Sequence, residues 1–358
     1  MNLITFNEAF SLSKKYNKKH LLLGNGFSIA CIPSIFTYGS LYSKANFNDI
    51  PEVQEAFNLL GTQDFELVIK TLENSSKILP AYLSHDKLIS KKMLENAQKL
   101  KDRLIETIAR NHPGYPGEID EYKYVACSKF LSKFLDENGT IYSLNYDLLL
   151  YWALMYGMEH KLIKTIPQDG FGRVTDFEDG ELNVSDYLTW QGDSKAHNQN
   201  IHYLHGALHL YDKGPDVEKF TWNDTGIRLV DQARIALMGG RFPLFVAEGE
   251  SNNKLEKITH SGYLYHSYKS FSSTMKIGAK GQKNCLFTYG VSFSENDDHI
   301  LCKISKGKIG HLFVSIYGDL SSILNKQIIA LVERLKRKRD SGNLEVSYYQ
   351  AETAKVWG

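Results

Sequence analysis

Residues 20–30 read HLLLGNGFSIA: three leucines run into Gly24-Asn25-Gly26, and Phe27-Ser28 begins the next element. An uninterrupted apolar run closed by glycine is the pattern of a strand covered on both faces, as in a parallel sheet. Glycines permit positive φ and let main-chain N–H groups approach a diphosphate at the start of a helix. The full G-x-G-x-x-G is absent, because Ile29 stands where its last glycine would be. The stretch therefore predicts a strand, a turn and a helix, and leaves open whether the turn cradles a phosphate or only turns a corner.

Similar runs recur along the chain. Thr140–Leu144, Cys285–Tyr289, His311–Tyr317 and Leu344–Tyr349 are apolar, β-branched or aromatic. Helical spacing occupies Leu3–Leu12, Val53–Leu60, Phe65–Leu72, Leu88–Ala109, Tyr122–Phe134 and Leu148–Met158. The glycine- and aspartate-rich stretch 169–200 reads as loops. Strands separated by helices predict an α/β fold, a Rossmann-like parallel sheet flanked by helices, with ligands outside the carboxyl ends of the strands. The expected organisation is one domain over 1–358 with a helical insertion or cap over 51–135.

Bulk composition narrows the function classes. Lys plus Arg total 42 against 41 Asp plus Glu, a formal net charge of +1, so no global field attracts nucleic acid or an anionic membrane. The basic run 334–339 ends an apolar-periodic stretch, where cations suit a helix C-terminus. The four cysteines, Cys31, Cys127, Cys285 and Cys302, form no C-x-x-C pair, which argues against a zinc module or a disulfide framework and fits a reducing compartment. The N-terminal segment lacks a signal-peptide core, and no apolar run reaches the roughly 20 residues of a membrane helix. A soluble cytoplasmic protein is expected.

Three further polar motifs follow strand candidates. Ser143-Leu-Asn145-Tyr-Asp147 puts an amide and a carboxylate at a sheet edge, although either side chain can simply cap the helix that begins near Leu148. Ile201–His209 holds His202, His205 and His209; their spacing needs one helical face to bind a metal, whereas Gly206 and the alternation indicate strand into turn. A single functional His205 followed by a close-approach glycine is the simpler reading, with no metal. Gly290-Val-Ser292 follows the strand Cys285–Tyr289, and Asp297 or Asp298 can start the next helix.

In order and placement these motifs resemble sirtuin-like proteins, which carry a Gly-Ala-Gly-x-Ser turn, an Ile-Pro-x-Phe, a Thr-x-Asn-x-Asp strand end, a His-Gly and a Gly-x-Ser. Here they are Gly24–Ser28, Ile32-Pro33 with Phe36, Asn145 with Asp147, His205-Gly206, and Gly290 with Ser292. Asp64-Phe65-Glu66, Phe245–Gly249, Lys254 with Ile258, and Asp297-Asp298-His299 further resemble a bacterial antiphage-associated branch that lacks the zinc-binding cysteine pairs. The resemblance implies NAD⁺ as substrate and cleavage of its nicotinamide–ribose bond. It implies Asn145, His205 and Asp147 as catalytic residues. Gly24, Asn25, Gly26, Phe27, Ser28, Gly290, Ser292 and Asp297 would bind the nucleotide. It also implies a homo-oligomeric effector of abortive infection, triggered by a partner such as a HerA-like ATPase. A nucleotide sensor without turnover and an ADP-ribosyltransferase are the alternatives. Asp64, Glu66, Glu248 and Lys254 are left between a lip of the pocket and a solvated surface.

Overall fold

The computed structural model describes residues 3–358 other than 84–86, 174, 179–180, 185–186, 193–197, 215, 222–225, 277–280, 282 and 340–342. Six strands form one parallel sheet: β1 (Lys19–Leu23), β2 (Ile141–Ser143), β3 (Ile201–Tyr203), β4 (Cys285–Tyr289), β5 (His311–Ile316) and β6 (Glu345–Gln350). Their spatial order is β3-β2-β1-β4-β5-β6, with every neighbouring pair parallel. The chain builds outward from β1 to β3, returns to the other side of β1, and builds outward again. The order reverses between β1 and β4, and ligands of open parallel sheets bind in the crevice at such a point.

The apolar run that opens the sequence becomes β1 because both of its faces are covered. All five of its residues are buried, as are all five of β4 and all six of β5. The helix Phe6–Leu12 brings Phe6 into an aromatic cluster with Phe130, Phe134, Phe287 and Tyr349, at centroid separations of 5.5–6.5 Å. Phe130 and Phe134 lie on the helix Glu121–Leu135, which packs on β1. That helix covers the sheet itself, whereas Phe65–Tyr82 and Lys87–Asn111 pair as a long hairpin beside it.

Stretch 169–200 departs from its loop expectation. Phe171–Gly172 and Tyr187–Trp190 join Leu210–Lys213 and Asp216–Phe220 in a four-stranded antiparallel sheet, and Thr175–Glu178 pairs with Glu181–Val184. Turn-forming glycines and aspartates crowd this stretch because its strands are short and its chain reversals frequent. No helix among the described residues is long and apolar enough to cross a membrane.

Candidate functional site

Strand register gathers the four motifs at one edge. Leu23 pairs with Tyr289 and with Ser143, and Ser143 pairs with Tyr203. One step beyond the strands, Gly24 therefore stands beside Gly290. Two steps beyond, Asn145 stands beside His205.

The glycines at the crevice are required by each other. A Cβ on Gly24 would lie 2.5 Å from the carbonyl oxygen of Gly290, and one on Gly26 would lie 2.5 Å from the Gly290 Cα. Gly290 has φ +66°, and a Cβ there would lie 2.4 Å from the Gly26 Cα. Main-chain bonds lock the two turns: Gly24 N–H donates to Tyr289 O and Gly26 N–H to Gly290 O, both at 3.0 Å. Phe27 and Ser28 donate their N–H groups to Gly24 O and Asn25 O. Four of the turn's five amides are thus engaged within the protein, and the helix Gly26–Cys31 is only six residues long. The missing side chains make room for the main chain of the facing turn.

The other residues of this turn are anchored. Phe27 is fully buried against Trp357, whose indole N–H donates to Phe27 O at 2.8 Å. Asn25 Nδ2 donates to Phe36 O at 3.2 Å, which fixes the neighbouring Ile32-Pro33 segment. Ser28 Oγ donates to Asp147 Oδ2 and accepts from Asn145 Nδ2 at 2.9 Å. Asp147 Oδ1 accepts the N–H of Leu149, the first residue of the helix Leu149–Glu159, at 2.9 Å, while the N-cap position itself is Leu148. Burial raises its carboxyl above the ordinary range, against the opposing effect of Ser28 and the Leu149 amide. Ser292 is exposed, and its hydroxyl accepts from Ser294 N at 3.4 Å.

His205 sits in a second, mostly charged cluster. Its Nε2 lies 3.1 Å from His299 Nε2 and 3.9 Å from Asp297 Oδ1. Lys254, 1% exposed, donates from Nζ to Glu66 Oε2 at 2.8 Å and to Asp297 Oδ1 at 3.1 Å. Three distant segments meet here: Glu66 from the helical insertion, Lys254 from the helix Ser251–His260, and Asp297 with His299 from the region after β4. Asp297 stands at the N-cap of the helix Asp298–Lys306 but makes no side-chain cap bond; its carboxylate serves Lys254 instead.

Hydrogen bonds hold both imidazole rings. Ser251 Oγ accepts the His299 main-chain N–H at 2.6 Å and lies 3.2 Å from His299 Nδ1. The Nε2 atoms of His205 and His299 face each other at 3.1 Å, so one ring donates and the other accepts. Burial, then the Lys254 ammonium, hold His205 well below the usual histidine range, against the pull of Asp297. Burial alone would raise Asp297; Lys254, His205 and His299 outweigh it and bring the carboxyl down to about 2. Lys254 stays charged, because Asp297 and Glu66 more than offset its desolvation.

The remaining polar residues tie the insertion to this cluster. Asp64 caps the helix Phe65–Tyr82 by accepting from Glu66 N and Leu67 N. Lys101 pairs with Glu73 at 2.9 Å and with Glu248 at 3.7 Å, and Lys257 pairs with Glu248 at 3.3 Å. Gly249 lets the chain press on this helix, since a Cβ there would lie 2.3 Å from Lys70 N. Shallow cavities of about 290 and 410 Å³ run along this seam, and neither is lined by a strand-end residue. His202 and His209 take other surroundings: His202 bonds Ser267 and Ser270, and His209 packs on Tyr151 and Tyr203.

Sequence alone gives neither His299 nor Lys254 a defined role. A lysine four residues before Ile258, both on the buried face of one helix, is the sequence signal for Lys254. For His299 the signal is a histidine in the first turn of the helix after a strand-glycine-serine motif.

Residues 21–357 match the family described as a domain of unknown function (DUF4917), and the chain belongs to that family. The match starts within β1 and ends at the tryptophan that holds Phe27, so it spans the sheet and both clusters. No curated protein matches the sequence.

Proposed function

We propose that this protein hydrolyses the nicotinamide–ribose bond of NAD⁺. The observation that carries the reading is that the strand register brings Asn145 and His205 to the carboxyl edge of the sheet, beside the reversal between β1 and β4. Dinucleotides occupy such a reversal in sheets of this strand order.

The chemistry asks little of the protein. Nicotinamide leaves as a neutral molecule when the C1′–N bond breaks and its electron pair stays on the ring nitrogen, so no general acid is needed. The ribose becomes oxocarbenium-like. Water then forms the new C1′–O bond, and His205 Nε2 accepts its proton. Asn145, held by Ser28, orients the water and ribose hydroxyls. Asp147 fixes Ser28 and supplies a carboxylate for the developing positive charge. The diphosphate is assigned to the outer face of the Gly24–Ser28 turn, and the Ser292 hydroxyl receives the adenosine half.

One observation favours a second reading, nucleotide sensing without turnover. His205 is 2% exposed and Asn145 7%, and each is already bonded to a protein group. A hydrolase built this way rests closed. Opening by self-assembly or by a partner, such as the HerA-like ATPase of antiphage systems, would reconcile the two readings. The exposed apolar side chains Ile78, Tyr82, Leu83 and Leu88 around the tip of the helical hairpin support a surface for such assembly.

Nicotinamide release by wild type, His205→Ala and Asn145→Ala tests the assignment. His205→Ala is expected to lower the rate by about 10²–10⁴-fold, the usual contribution of a positioned base, and Asn145→Ala to lower it by loss of orientation. Full activity in both variants would refute it.

A further inference from the structure

We propose that His205, His299 and Asp297 form a binding site for a divalent transition metal, zinc being the best fit. One ligand atom from each lies within 4.8 Å of the other two. Ligand atoms on tetrahedral zinc, with bonds of about 2.0–2.1 Å, stand about 3.3 Å apart. The observed His–His and His–Asp separations of 3.1 and 3.9 Å already bracket that spacing.

The surroundings suit a metal as well as the spacing does. His299 has its second nitrogen engaged by Ser251 Oγ, and metal-binding histidines are oriented by such outer partners. The metal takes the place of the contact between the two Nε2 atoms. Two carboxylates, Asp297 and Glu66, face one ammonium, Lys254, so the buried cluster has negative charge to spare. Lys254 competes for Asp297 Oδ1 and sets an upper limit on affinity. The site stands on this geometry alone. Its consequence rests on the proposed reaction: a metal on His205 Nε2 removes the base, so zinc is inhibitory.

The test uses the full chain, stripped by a chelator, titrated with Co²⁺ by visible absorption and with Zn²⁺ against a chromophoric chelator. One equivalent per chain is expected. His299→Ala and Asp297→Asn should each weaken affinity at least tenfold, and Ser251→Ala, a milder change, by about 10–100-fold. Zn²⁺ should suppress nicotinamide release, and EDTA should restore it. Binding of one equivalent without any turnover would uphold the site and count only against the hydrolase reading. Absence of one-equivalent binding in wild type, or unchanged affinity in folded Asp297→Asn and Ser251→Ala, would overturn the proposal.

Discussion

Lys254 is the residue on which the charged cluster depends. It is an ammonium with almost no exposure, held by Glu66 from the insertion and by Asp297 from the sheet. Removing one partner of a buried ion pair strands the other charges, at about 3–5 kcal/mol. Lys254→Met is therefore expected to lower stability by about that amount in chemical denaturation, and a loss below about 1 kcal/mol would contradict the role. Asp297 supplies a pH signature. Its carboxyl falls to about 2 in the folded chain against an ordinary 3.8, so its stabilisation is complete above about pH 4 and is lost as pH falls toward 2. Asp297→Asn should flatten that acid limb. Asn145, Asp147 and His205 are legible in the sequence because each closely follows a strand. His299 is not, because what gives it meaning is the 3.1 Å approach of a histidine 94 residues away.

Among the elements, the two glycine turns behave as one unit. Gly290→Ala would add a Cβ 2.4 Å from the Gly26 Cα at a residue whose φ is +66°. Overpacking of about 1–3 kcal/mol and a left-handed backbone cost of about 1–2 kcal/mol act together. A drop of about 2–5 kcal/mol is expected; an unchanged denaturation midpoint would show that the turns do not touch. The insertion answers to Gly249 instead. Gly249→Ala should push the helix Phe65–Tyr82 off its seat and speed amide exchange there, while β1 and β4 stay protected. Equal acceleration in the sheet would argue that the insertion does not open separately. Periodicity locates the long helices and the fully buried strands, where burial covers whole faces. It fails over 169–200, where strands of two to four residues are too short to develop a pattern and turn-forming residues dominate.

For the whole molecule, buried histidines make stability depend on pH near neutrality. Burial lowers His20 and His202 to about 3, and His112 and His299 to about 4. Between their ordinary 6.5 and those values only the unfolded chain binds the protons, so stability falls as pH drops from about 6.5 toward 4. Each histidine contributes up to about 1.4 kcal/mol per pH unit. Denaturation midpoints at pH 7, 6 and 5 should decline in turn; a flat series would mean that these rings are solvated. The same closed packing buries His205 and Asn145, so activity is expected to require opening of the insertion seam.

The most direct measurement follows NAD⁺ labelled in its adenine ring, incubated with the full chain alone and with the proteins encoded beside it. The account predicts free labelled ADP-ribose in equal amount to released nicotinamide, and none with His205→Ala. Intact labelled NAD⁺ bound to the protein under every condition, or label retained on a macromolecule, would contradict it.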